Sequence, residues 1–251
     1  MATARRPKAI ILLLALYWPV LFVLTHIPVP PVVRQANLSD KGLHFLVYAI
    51  LTFLLWSVVR PYSKVDWRRA TSWLVLAGVI AYGFCDEGLQ HFVPGRSADV
   101  RDLVANAAGA IVALTVLTIF SFWPAATILT ALTVSMLPVL ARRNLMSLLP
   151  VLMTAFYVGG YALFAVLWMR CLHPWFRVRK AGGVELLLSV AVPSALLLLT
   201  KLSTWAAGRS FQRWDMVAAA AGILVGVLVA WQIGWLSRRE TADDSLAPAE
   251  G

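Results

Sequence analysis

The chain has 251 residues, 60% of them hydrophobic and 14% charged, with a formal net charge of +10. Soluble domains are about 45–50% apolar and about 25% charged, so an ordinary soluble enzyme is excluded. The abundance of aliphatic and aromatic residues excludes a disordered chain. At roughly 20 apolar residues per crossing helix, this length accommodates about eight membrane spans with short loops. The expected fold is therefore an all-α polytopic membrane protein.

In chain order, the first apolar run is Ala9–Ile27, led by Arg5, Arg6 and Lys8. It has the look of a signal peptide, but Pro28, Pro30 and Pro31 follow in place of an Ala-x-Ala cleavage site, so it is read as a retained first helix. Further spans are expected at about 43–59, 71–92, 103–122, 124–140, 149–170, 184–206 and 214–236, and a polar tail, 238–251, is expected to be disordered. Trp18, Trp123 and Trp175 fall at span ends, as an interfacial belt would place them.

Placed on alternate sides of these spans, 13 of the 22 Lys and Arg residues share the side of both termini. That bias puts both termini in the cytoplasm of an inner, cytoplasmic membrane. The basic residues cluster at span ends, which argues for anionic lipid as the partner and against nucleic acid. Cys85 and Cys171 stand far apart in apolar stretches, with no metal-ligand or disulfide spacing. No metal and no cofactor is expected.

The two halves repeat at a constant offset of 113 residues. Gly95-Arg96-Ser97 and Asp102 recur as Gly208-Arg209-Ser210 and Asp215, and Tyr48-Ala49 recurs as Tyr161-Ala162. Val104, Ala105, Ala107, Ala108 and Gly109 match Val217, Ala218, Ala220, Ala221 and Gly222. A tandem pair of four-helix units is expected, 1–122 and 123–237, running parallel in the membrane because each holds an even number of helices. The copies differ in their polar residues. Asp40, Lys41 and His44 become Met153, Thr154 and Tyr157; Asp86, Glu87, Gln90 and His91 become Leu199, Thr200, Ser203 and Thr204; Asn106 becomes Ala219. Any active cluster therefore belongs to the first copy.

That cluster comes from three segments at one end of their helices. Asp40, His44 and Tyr48 are four apart and share a helical face; Asp86 and Gln90 share another, as do Glu87 and His91. Asp102, Asn106 and Gly109 form a third stripe. Charged residues within spans are costly and normally face a partner or a polar cavity. Lys41, His44 and Arg96 are the cations available to the adjacent acids. One acid could then hold a proton at neutral pH and act as a general acid or base. Structural readings stand beside this one: Asp40 and Asp102 as helix caps, and Asp86 and Glu87 as an ion pair with Arg96 fixing the third helix on the fourth.

The series Asp40-Lys-x-x-His44-Phe-x-x-Tyr48, Asp86-Glu-x-x-Gln90-x-Phe-x-Pro94-Gly-Arg96 and Asp102-x-x-x-Asn106-x-x-Gly109 resembles the signature of the VanZ-like family over about residues 9–122. The resemblance implies a small bacterial membrane protein of the cell envelope, in a family named for a member linked to teicoplanin (glycopeptide) resistance, and implies no particular reaction. On this reading the cluster faces the extracytoplasmic side and engages a phosphate-bearing headgroup of an envelope lipid or glycan precursor. Asp86, Glu87 and His44 would carry any chemistry, and Asp40, Lys41, Gln90, Arg96, Asp102 and Asn106 would bind the ligand. A non-catalytic scaffold or binding subunit for envelope assembly is the alternative. A two-repeat transporter fits less well, because carriers of that kind place polar groups near mid-membrane.

Overall fold

The structure is a computed structural model that describes residues 8–26, 40–94, 99–140, 150–176, 182–208 and 212–246. The described residues are all-helical: α1 (Lys8–His26), α2 (Asp40–Val59), α3 (Ala70–Gln90), α4 (Val100–Ile119), α5 (Phe122–Leu140), α6 (Pro150–Phe176), α7 (Gly182–Ala206) and α8 (Arg213–Leu246). Seven of them are long and apolar enough to cross a membrane, and the apolar part of α1, Lys8–Val23, is shorter. This is a multi-pass membrane protein. Leu74, Phe84, Leu186, Leu187 and Trp231 are among the large apolar side chains on helix exteriors, where lipid rather than water is the solvent. Pro19, Pro138 and Pro193 lie inside helices, a tolerance common in membrane-spanning segments.

The chain divides into two compact units, residues 1–150 and 151–251. In the first, α2 is central: it packs most extensively on α4 and also touches α1, α3 and α5. Its buried face carries Leu46, Tyr48, Ala49, Leu51 and Trp56, opposite Ala110, Ala113, Leu114 and Leu117 of α4. Leu14 and Leu21 of α1 and Val79 of α3 complete that core. Small residues let the two central backbones approach. A β-carbon added at Gly109 would collide with the Phe45 carbonyl oxygen and stand 3.0 Å from the Ala49 nitrogen. Polar residues inside these helices return their hydroxyl protons to the preceding turn, Thr52 to the Tyr48 carbonyl (2.7 Å) and Ser57 to that of Phe53 (2.7 Å).

At the far end of α2, residues 60–69 are laced to the last turn of α4. The Val65 amide donates to the Leu117 carbonyl (3.0 Å), Lys64 Nζ to that of Ile119 (2.6 Å) and Trp67 Nε1 to Thr118 Oγ1 (2.9 Å). Asp66 in this basic loop is held below the usual carboxyl range by the Arg68 amide and then by the Arg69 guanidinium.

In the second unit, α7 packs on α8, and Trp168 Nε1 of α6 donates to the Leu188 carbonyl of α7 (3.0 Å). A β-carbon at Gly222 of α8 would collide with the Val158 carbonyl oxygen of α6. Gly222 and Val158 stand 113 residues after Gly109 and Phe45.

Two boundaries differ from the sequence reading. α5 packs on α2 and α4, so the first compact unit extends past residue 122 to Pro150. The final helix continues to Leu246, through most of the stretch expected as a disordered tail. Residues 238–246 contain neither Gly nor Pro, and Arg, Glu, Ala and Leu among them favour helix. Residues 247–251 lie outside the described ones.

Candidate functional site

The polar residues gather where α2 begins, α3 ends and α4 begins. Asp86 is 1% exposed, Asn106 0%, Gln90 3%, Asp102 5%, Glu87 6% and His44 7%, so these six side chains are withdrawn from solvent and lipid. The helical spacings place them there: His44 and Tyr48 on one face of α2, Asp86 and Gln90 on one face of α3, Asp102 and Asn106 on one face of α4.

Asp86 is held on both carboxylate oxygens. Gln90 Nε2 (3.0 Å) and the Tyr48 hydroxyl (3.4 Å) donate to Oδ2, and Thr25 Oγ1 (3.0 Å) donates to Oδ1. His26 Nδ1 lies 3.7 Å from Oδ1. One carboxylate thus joins α1, α2 and α3. Thr25 and His26 were not singled out in the sequence; the only sign of them is a polar pair closing an apolar run.

Around Glu87 the groups are differently arranged. Its Oε1 lies 3.6 Å from His44 Nδ1 and, though buried, takes part in no hydrogen bond. The Asp99 amide reaches its Oε2 at 3.5 Å. His44 Nδ1 is 3.0 Å from Asn106 Oδ1, and His44 Nε2 is 3.9 Å from Asp102 Oδ2. The Asn106 amide nitrogen Nδ2 is buried with no hydrogen-bond acceptor among the described residues. One ligand atom from each of His44, Glu87 and Asp102 falls within 4.8 Å of the other two. Cysteine spacing gave no hint of such a group, because its members come from three separate helices.

Lys41 sits at the rim, half exposed, 3.4 Å from Asp99 Oδ2 and 3.9 Å from Asp102 Oδ1. An exposed pair of this kind adds little stability, but it sets a positive charge at the mouth. Asp99, not Asp102, caps α4: its Oδ1 accepts from the Arg101 amide (2.8 Å). That bond, and then Lys41, hold the Asp99 carboxyl below its usual range. Asp102 lies one turn inside the helix and faces His44. Asp40 opens α2, and its side chain lies outside the described residues, as does Arg96 with its neighbours 95–98. The proposed pairing of Arg96 with Asp86 and Glu87 therefore falls outside the description. His91 is exposed in the turn after α3 and does not continue the Glu87 face.

The equivalent positions of the second unit are chemically plainer. The Tyr161 hydroxyl donates to Thr200 Oγ1 (3.2 Å), where the first unit has Tyr48 and, 113 residues before Thr200, Glu87. Asp215 Oδ2 accepts from the Gln212 amide (3.1 Å).

Residues 9–121 match the VanZ/LLP1 family model. No curated protein and no solved structure matches the chain.

Proposed function

We propose, from the premise that the first half of the chain, residues 9–121, belongs to the VanZ/LLP1 family, that its polar cluster receives a phosphate-bearing headgroup of an envelope lipid or glycan precursor. The observation that carries this reading is Asn106 Nδ2, a fully buried amide donor with no acceptor among the described residues. Leaving such a donor unpaired costs about 1–3 kcal/mol, and an incoming phosphate oxygen would satisfy it. Lys41 at the rim and Arg96 in the adjoining segment supply positive charge for the same anion.

Within this reading the residues divide in role. Asp86 has donors on both oxygens and ties three helices together, so it acts as a positioning residue. Glu87, His44 and Asp102 form the floor against the headgroup. The site faces the extracytoplasmic side of the inner membrane, with both termini cytoplasmic. Supporting this, the basic residues Arg60, Lys64, Arg68 and Arg69 stand at the opposite end of α2 and α3. The two halves descend from one duplicated four-helix unit. Supporting that, Gly109 meets Phe45 as Gly222 meets Val158.

The test has two parts. In phosphatidylcholine nanodiscs, the full chain is titrated with a polyprenyl phosphate and, separately, with inorganic phosphate. Asn106→Leu should weaken binding at least about tenfold, or about 1.4 kcal/mol, while Ser203→Ala in the second unit should leave it unchanged. In cells lacking the protein, the envelope-lipid and glycan-precursor profile should be restored by wild type and not by Glu87→Gln at equal membrane abundance. Equal binding by wild type and Asn106→Leu, with full restoration by Glu87→Gln, would favour the scaffold reading instead.

A further inference from the structure

Three carboxylates, Asp86, Glu87 and Asp102, are buried together with one imidazole, and the nearest described ammonium, Lys41, is half exposed at the rim. Asp86 is compensated by three hydrogen bonds. Among the described residues, Glu87 is faced by the His44 imidazole at 3.6 Å and by no Lys or Arg. An ionised carboxylate moved out of water carries a penalty of several kcal/mol unless it is paired, and Glu87 Oε1 makes no hydrogen bond although Glu87 is 6% exposed. A phosphate brought against this floor would add negative charge to negative charge.

We propose that His44, Glu87 and Asp102 hold a divalent transition-metal cation. Three observations point there independently of the headgroup reading. The donor set, one imidazole nitrogen and two carboxylate oxygens, is a first shell common to Zn²⁺ and open to Mn²⁺. The ligand atoms lie within 4.8 Å of one another on three different helices, all buried. Ligands at about 2.0–2.2 Å from one ion in a tetrahedral shell stand about 3.3–3.6 Å apart, so closure on an ion draws each ligand atom inward by less than about 1 Å. Asn106 Oδ1, 3.0 Å from His44 Nδ1, is a hydrogen-bond partner that fixes the orientation of the imidazole between Glu87 Oε1, 3.6 Å from Nδ1, and Asp102 Oδ2, 3.9 Å from Nε2. Two carboxylates balance the charge of the ion.

The second unit lacks this set. At the same offset His44 and Glu87 become Tyr157 and Thr200, and Asp215 alone remains. It serves as an internal control.

The cation site also serves the headgroup reading. An ion on the carboxylate floor gives a phosphate oxygen something to bind where bare carboxylates would repel it. In that role it rests on the proposed function, and the experiment separates the two. The full chain, purified in detergent and stripped with EDTA, is dialysed against Zn²⁺ or Mn²⁺ and its metal content measured. One ion per chain is expected. Glu87→Gln and Asp102→Asn should each weaken binding at least about 100-fold, Asn106→Leu about 10–100-fold, and Asp215→Asn should leave it unchanged. Helicity and monodispersity are checked for each variant. A measurement on wild type alone guards against variants that fail to fold: bound Mn²⁺ should show pulsed-EPR nitrogen coupling from a coordinated imidazole. The absence of a stoichiometric ion, retention of the ion by both carboxylate variants, or the absence of that coupling overturns the site. The polyprenyl phosphate titration, repeated with and without the metal, then distinguishes the claims. Metal bound without lipid leaves the cation site standing and removes the headgroup reading. Lipid bound equally without metal leaves the headgroup reading and removes the ion from it.

Discussion

Replacing Gly109 by alanine tests whether the approach of α2 and α4 sets the geometry of the site. The added β-carbon meets the Phe45 carbonyl oxygen and stands 3.0 Å from the Ala49 nitrogen. Both are backbone atoms, so no side-chain rotation relieves the clash and the helices must separate. Overpacking of this kind costs about 1–3 kcal/mol, and a gap of roughly 0.5–1 Å forfeits a quarter to a half of each affected dispersion contact. Removing a helical glycine returns about 0.5–1 kcal/mol. The balance is a net loss of up to about 2.5 kcal/mol, or up to roughly 10 °C in melting temperature for a chain of this size. Gly78→Ala is the control, since a β-carbon there has nothing within 4 Å; it should melt at or above wild type. Thermal melts in one detergent, followed by helical circular dichroism, read both. Because Phe45 follows His44 directly, the displacement should also lengthen the 3.0 Å contact from His44 to Asn106. If Gly109→Ala melts as high as Gly78→Ala, close backbone approach does not hold this helix pair.

Two further outcomes follow from the same geometry. Thr25→Val keeps shape but removes the α1 donor to buried Asp86; stability should fall by about 1.5–3 kcal/mol, as for a hydrogen bond to a charged group, whereas Thr118→Val, which loses only a bond to its own helix, should cost less in the same melts. In a background with Cys85 and Cys171 replaced by alanine, Ser97→Cys should react with an impermeant thiol reagent added to spheroplasts and Ser63→Cys should not; the reverse pattern would place the polar cluster on the cytoplasmic side.

Most of the architecture was legible from composition and breakers. Helix ends predicted at 59 and 206 coincide with those found, because apolar runs stop abruptly at Arg60-Pro61 and near Gly208. Faces within one helix were legible too: Asp86 and Gln90, read as neighbours from a spacing of four, are hydrogen-bonded at 3.0 Å. What periodicity does not contain is the rotation of one helix against another. Nothing in the first apolar run announced that Thr25 would reach Asp86, or that His44 would meet Glu87 and Asp102 rather than only its own helix partners. The start of α4 was placed three residues late, since Asp99 rather than Asp102 supplies the cap and the polar Arg101-Asp102 turn obscures the first turn in a hydropathy reading.

The partners of the two adjacent carboxylates are made at different times. An acid at the centre of a crossing helix adds roughly 2.5–3.5 kcal/mol to insertion, and α3, which carries both at its end, is the least apolar of the seven spans. Asp86 draws on Thr25 and Tyr48, already synthesised, and on Gln90 four residues ahead in its own helix. Glu87 finds His44 behind it but needs the Asp99 amide, which leaves the ribosome only when α4 begins. In order of synthesis, then, every hydrogen-bond donor to Asp86 is made by the time α3 is complete, while the amide that reaches Glu87 comes only with the residue that opens α4.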